Sequence, residues 1–288
     1  MPLKLTTNIL GIVMAMLITC VSTSSALAGG APAKEEPKGP PGVVSFPSSI
    51  GYKGESITLV GKLEIPEDPE DEYRKFPLII MLHGCIGLNK YTKLGLEAHA
   101  KAFKKAGFAS LIIDSFRPRE INLGWTCKKL GRRANAQGFR KSDVSDALDY
   151  LKDHEKIDLA NVFIIGQGNG GNTAVFLSRS SKHENIRAVA AYYPICQALN
   201  SHFLAPLIVF IAGKDDEETH DACRKADRRN YGMDVVYYEG AHHLFDLPLR
   251  LSKYQGKLVG GDKRATRDSR NKIIEFFTKR LLTDEEES

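Results

Sequence analysis

Apolar residues come along this chain in short unbroken blocks more often than in alternation. Phe76–Leu82, Val162–Ile165, Ala188–Tyr193 and Pro206–Ala212 are such blocks, and Phe108–Ile113 and Met233–Tyr238 are interrupted only by Ser110 and Asp234. Runs of this length between turn residues predict strands buried on both faces. Ahead of them, Val43–Phe46 and Ile57–Ile65 read as two further strands, the second alternating apolar and polar residues. Helical period appears between the blocks. Val144, Ala147, Leu148 and Leu151 fall at i, i+3, i+4 and i+7 within Asp143–His154. Leu94–Ala106 is closed by Gly107, and Thr266–Leu282 carries Ile273, Ile274, Phe276, Phe277, Leu281 and Leu282 on one side. Strands alternating with helices predict an α/β single domain over residues 43–283, a mostly parallel central sheet with helices on both faces. A ligand is then expected outside the carboxyl ends of the strands.

The ends of the chain read differently. Residues 1–28 hold one charge, Lys4, an apolar run from Ile9 to Val21 and the small-residue site Ala26-Leu27-Ala28. That layout predicts a signal peptide cleaved before Gly29 and export to the periplasm or beyond. The run is shorter than the about 20 residues a membrane span needs, so no stable span is expected after cleavage. Residues 29–42 form a Gly/Pro-rich flexible leader, and 284–288 an acidic tail. A formal charge of +5, with both signs interspersed, argues against a nucleic-acid footprint. The pairs Arg132-Arg133 and Arg228-Arg229 read as solvated faces. Export leaves four cysteines after Cys20, hence two disulfides and three possible connectivities. Cys196–Cys223 and Cys85–Cys127 are favoured: the first pair follows neighbouring strands, and the long basic loop 120–137 can carry Cys127 towards Cys85. Ligand-like spacings of Cys and His are missing from the sequence, so neither a metal nor a cofactor is expected. The sequence carries no signal for oligomeric state.

One strand, Val162-Phe163-Ile164-Ile165, runs into Gly166-Gln167-Gly168-Asn169-Gly170-Gly171 and then a helix. Strand, tight turn and helix are the setting of the nucleophile elbow G-x-S-x-G. Gly166, Gln167, Asn169 and Gly170 fit the frame, but the nucleophile slot holds Gly168. Upstream, His83-Gly84-Cys85 ends a central strand, where the backbone N–H of Cys85 can face a substrate oxygen. Downstream, Gly213-Lys214-Asp215-Asp216 and Ala241-His242-His243 end two more strands. In chain order these give an empty nucleophile slot, an acid and a histidine, the order of α/β-hydrolases.

The chain resembles the dienelactone hydrolase family, in particular its exported members. The likeness lies in His83-Gly84-Cys85-x-Gly87-Leu88, Asp114-Ser115-Phe116-x-Pro118-Arg119, Arg140-x-x-Asp143, the elbow, Tyr193-Pro194-x-Cys196, Gly213-x-x-Asp216 and His243-x-Phe245. It implies an α/β-hydrolase fold, Asp216 as the orienting acid, His243 as the base, and an oxyanion hole formed by the N–H groups of Cys85 and Asn169. Asp215 and His242 are the alternatives for acid and base. The implied ligand is a small ester, lactone or carboxylate, and Arg117 and Arg119 are candidates for an anionic group on it. Where the family carries a cysteine or serine, this chain has Gly168, which cannot form an acyl-enzyme. Two expectations follow: weak hydrolysis by water activated at His243, or ligand binding without catalysis.

Overall fold

A computed structural model describes residues 42–282, apart from 122–134, 181–184, 200–201, 216, 229–231 and 255. The side chains of 135–137, 197–198, 217–220 and 228 are likewise outside the description. Among the described residues there are ten strands: β1 Val43–Pro47, β2 Thr58–Glu64, β3 Phe76–Leu82, β4 Ala109–Asp114, β5 Ile157–Gln167, β6 Ile186–Tyr192, β7 Leu207–Ala212, β8 Met233–Tyr238, β9 Ser252–Tyr254 and β10 Lys257–Val259. The helices are α1 Lys90–Lys105, α2 Asn135–Leu151, α3 Asn169–Leu177, α4 Glu217–Arg228 and α5 Lys263–Thr278. Eight strands form one sheet in the order β1-β2-β4-β3-β5-β6-β7-β8. The β1–β2 and β2–β4 pairs are antiparallel, and every later pair is parallel. The expected α/β architecture is therefore present.

The continuous apolar blocks have a simple cause: successive side chains of a strand leave opposite faces, and here both faces are covered. Leu78, Ile80 and Leu82 of β3 enter one core with Val144, Ala147 and Leu151 of α2 and Ala174 and Val175 of α3. Ile79 and Met81 enter the other core with Leu96, Ala100 and Phe103 of α1 and Ile273 and Phe277 of α5. Helix starts differ from the periodicity. α1 begins four residues before Leu94, because the Asn89 side chain accepts from the N–H groups of Tyr91 and Thr92. α5 begins before Thr266 for the same reason, with Asp262 as its cap. The β9–β10 hairpin escaped the pattern because its three-residue strands are short and largely exposed. No helix among the described residues is long and apolar enough to cross a membrane.

Cys196, in a 3₁₀ turn after β6, is bridged to Cys223 of α4, with both side chains buried and Cα atoms 4.9 Å apart. Cys85 is also disulfide-bonded; its expected partner, Cys127, lies outside the described residues. The Cys196–Cys223 bridge closes a loop with a sequence separation of 27 residues. Replacing both cysteines by alanine is expected to lower unfolding stability by about 3–4 kcal/mol on a chain-entropy account, read as a lower urea midpoint.

Candidate active site

The site is built around the turn from β5 into α3. A Cβ on Gly170 would lie 2.2 Å from the carbonyl oxygen of Leu82 at the end of β3, so only glycine fits there. Gly168 has φ 49° and ψ −110°, a backbone conformation that side chains disfavour. Its N–H donates to the Tyr192 carbonyl at 2.9 Å, and its own carbonyl accepts from the Asn172 N–H at 2.9 Å. The elbow conformation is thus present, with a glycine at its apex. A Cβ at 168 would meet only two ring carbons of Tyr193, both at 3.8 Å, among the described residues. The slot has room for a side chain and lacks one.

Asp215 follows β7 and His243 follows β8, at the same carboxyl edge of the sheet. His243 Nδ1 lies 2.7 Å from Asp215 Oδ2. A carboxylate only accepts, so Nδ1 carries the proton and the neutral ring keeps its lone pair on Nε2. Asp215 is nearly buried, whereas His243 is about one-third exposed, at 31% of its side chain. Lys257 of β10 approaches the other side of the acid, its Nζ 3.8 Å from Asp215 Oδ1. The His243 backbone is pinned by a bridge to Val259 and by Gly260 N–H donating to its carbonyl at 3.1 Å. Asp216, the acid implied by the family resemblance, lies outside the described residues; the bonded carboxylate is its neighbour Asp215. His242 Nδ1 has no hydrogen-bond partner among the described residues. The Tyr193 ring, which borders the space above Gly168, also lies 4.5 Å from the His243 ring, centroid to centroid. One aromatic side chain therefore touches both the slot and the base.

The proposed oxyanion donors sit on two segments clamped together by one buried cation. Arg140 of α2 donates through Nη1 to Asn169 Oδ1 and through Nη2 to the His83 carbonyl, each at 2.7 Å. Burial pulls its guanidinium down to about 10, which leaves it charged at neutral pH. Arg140 therefore ties the His83-Gly84-Cys85 turn to the first residue of α3. Asn169 N–H, in the first turn of that helix, has no intrahelical acceptor and sits at the positive end of the helix dipole. A Cβ on Gly84 would lie 3.3 Å from the Gln167 carbonyl, which sets the two segments side by side. Because Cys85 is disulfide-bonded, its sulfur is no substitute nucleophile. The sequence had flagged Arg140 only as part of a motif, without a role.

The two candidate anion receptors separate. Arg119 is buried, and its guanidinium is taken up by Asp143, at 3.0 and 2.7 Å, by the Ser115 carbonyl at 2.8 Å and by Ser48 Oγ at 3.0 Å. It staples α2 to the end of β4, its guanidinium engaged within the fold. Arg117 is exposed, with Nε 3.4 Å from Asp114.

Behind the elbow lies a polar cluster that sequence reading missed. Asp246 accepts from Gln167 Nε2, from the Tyr193 hydroxyl at 2.7 Å and from His99 Nε2 at 3.3 Å. Arg270 Nε donates to His99 Nδ1 at 3.3 Å, which settles the tautomer of His99. Burial, reinforced by the Asp246 charge, raises the Tyr193 hydroxyl well above its ordinary value and keeps it a donor. That bond, with Tyr193 N–H donating to Phe210 O at 2.8 Å, holds Tyr193 at φ 38°.

Two measurements test this geometry. The Cβ of Gly168→Ser meets only Tyr193 ring carbons at 3.8 Å among the described residues, but it sits at a disfavoured φ, so the variant is expected to lower stability by about 1 kcal/mol or more, read by thermal or urea unfolding. The second concerns His83 and His99, both lowered from the ordinary 6.5 chiefly by burial. The unfolded chain then protonates these rings at a higher pH than the folded one. Their contribution is complete above 6.5 and is lost as pH falls from there through the lower folded values. Stability is expected to fall by up to about 1.4 kcal/mol per pH unit for each ring, and His99→Gln should flatten that slope.

Among curated protein sequences, none matches this chain. Solved structures do. A dienelactone hydrolase-like promiscuous phosphotriesterase from metagenomic libraries is 18% identical, with 84% of this chain and 100% of that chain covered at a TM-score of 0.62. The dienelactone hydrolase from Anabaena variabilis is 19% identical over 84% of this chain and 100% of that one, at 0.57. A ferulic acid esterase from Streptomyces cinnamoneus is 15% identical over 83% and 88%, at 0.61. At such identities the likeness is one of fold. The model of the dienelactone hydrolase family matches residues 59–281. Most of the chain falls within that match, and this protein therefore belongs to the dienelactone hydrolase family.

Proposed function

We propose that the protein hydrolyses a small, labile ester or lactone by direct attack of water, with no covalent intermediate. The observation that carries this reading is the 2.7 Å pair of His243 and Asp215 beside an elbow that keeps its strained form without a nucleophile. His243 Nε2 takes a proton from water as the oxygen attacks the carbonyl. Asp215, in the role the family resemblance gave to Asp216, orients the ring and stabilises the imidazolium. The N–H groups of Cys85 and Asn169 receive the developing oxyanion. A site lacking one triad member retains about 10³–10⁴-fold catalysis over water from its oxyanion donors and binding, so turnover is weak. A second reading, a non-catalytic receptor for an ester, lactone or carboxylate, is favoured by the absence at 168 of any atom that could carry an acyl group. Arg117 is the cation proposed for an anionic ligand group. Export to the periplasm or beyond is also proposed; it is supported by the signal-like residues 1–28 and by the Cys196–Cys223 disulfide, since such bridges persist in oxidising compartments.

Hydrolysis of p-nitrophenyl acetate and of a small lactone separates the readings. The water route requires wild-type turnover above buffer that His243→Ala abolishes. Turnover by Gly168→Ser alone would establish the receptor reading, with an acid–base frame that is natively idle. Inactivity of both proteins would overturn the site assignment.

A further inference from the structure

We propose that the space above Gly168 is a co-substrate subsite for an alcohol of about the size of methanol, and that the protein transfers the acyl group of a bound ester to that alcohol as well as to water. The proposal rests on the hydrolytic reading above and names a second occupant of the same site.

Three observations carry it. First, the elbow keeps φ 49° and ψ −110° at Gly168, so the direction in which a nucleophilic side chain would leave the backbone is still defined. Second, the position its Cβ would take is bordered, among the described residues, only by Tyr193 ring carbons at 3.8 Å. That is ordinary van der Waals distance, and a methyl carbon can rest there on an apolar face. Third, the same Tyr193 ring packs against the His243 imidazole, centroids 4.5 Å apart, so one side chain touches both the slot and the base. The Tyr193 hydroxyl is turned to Asp246, which removes it as a competitor for His243. A serine side chain is one carbon and one hydroxyl oxygen, the heavy atoms of methanol. Water fills the oxygen position alone and leaves the ring face uncovered.

The chemistry balances without any other reactant. The alcohol O–H gives its proton to His243 Nε2 as its oxygen bonds to the acyl carbon, and the carbonyl electron pair moves to the oxyanion held by the backbone N–H groups. As the tetrahedral species collapses, the original C–O bond breaks and the leaving oxygen takes the proton back from Nε2. Ester plus alcohol becomes a new ester plus the displaced alcohol. A lactone becomes an open-chain hydroxy ester.

The test is partition. The folded protein is incubated with p-nitrophenyl acetate in molar methanol, and methyl acetate and acetate are quantified by gas chromatography. The expected result is a methyl acetate to acetate ratio several times that of protein-free buffer, lost in His243→Ala. With tert-butanol, too bulky for the slot, the ratio should return to that of buffer. Gly168→Ala, which puts a methyl group in the slot, should lose transfer more steeply than hydrolysis. Should that variant fold poorly, the alcohol-size series on the wild type decides by itself. Protein-dependent hydrolysis with a buffer-like ratio would overturn the subsite and leave the hydrolytic reading standing. Equal enrichment with tert-butanol and methanol would also overturn it. Neither hydrolysis nor transfer would bring down both.

Discussion

The end of β3 and the start of α3 approach so closely that no side chain fits between the Leu82 carbonyl and Gly170. The turn joining β5 to α3 must be made within that clearance. It drives Gly168 to positive φ and presents the Asn169 N–H at the positive end of a helix. The hydrogen bonds that hold residue 168 come from Tyr192 and Asn172, and none uses a side chain at 168 itself. The elbow is therefore a property of its surroundings. That is why its shape does not depend on a side chain at 168.

Buried polar groups make those surroundings rigid. Arg140 bonds both segments that carry the backbone donors, Arg119 grips Asp143, and Asp246 gathers Gln167, Tyr193 and His99 beneath the turn. Interior ion pairs contribute little net stability, because desolvation offsets most of the Coulomb attraction, whereas removing one partner is strongly destabilising. Their effect here is placement. A carboxylate that must satisfy three donors on different strands and helices allows those elements few relative positions.

A site arranged in this way separates two contributions that hydrolases usually combine. The donors and the imidazole–carboxylate pair are fixed in advance, which is where much of electrostatic catalysis originates. Residue 168 is a glycine and cannot tether a nucleophile, and tethering is worth effective concentrations of about 10⁵–10⁸ M. On the proposed hydrolytic reading the attacking oxygen comes from solution, so its size and concentration, rather than a residue of the chain, set turnover. The Tyr193 ring, which borders both the Gly168 position and His243, is the surface on which that proposed selection would act.

Most of the architecture could be read from the chain before any coordinates. Apolar blocks of four to seven residues, broken at most once by a polar residue, are best accommodated between two covered faces, and helical spacing supplied the covers. The elbow and the strand-end histidine were also legible, because each is a local pattern of glycine and strand. What stayed hidden was pairing across distance. Asp215 and Asp216 are neighbours with the same chemistry, and which of them meets His243 depends on how the turn after β7 aims each side chain. Arg119 read as a ligand for an anion because nothing local reveals that Asp143, 24 residues on, occupies it. His99 and Asp246 stand 147 positions apart. Neither residue is unusual in its own segment, and only the folding of α1 against the loop after β8 brings them into one buried cluster. Periodicity and turn chemistry are properties of short segments, so they determine the elements and the strand ends; a buried charge is defined by its partner, and the partner exists only in the assembled fold.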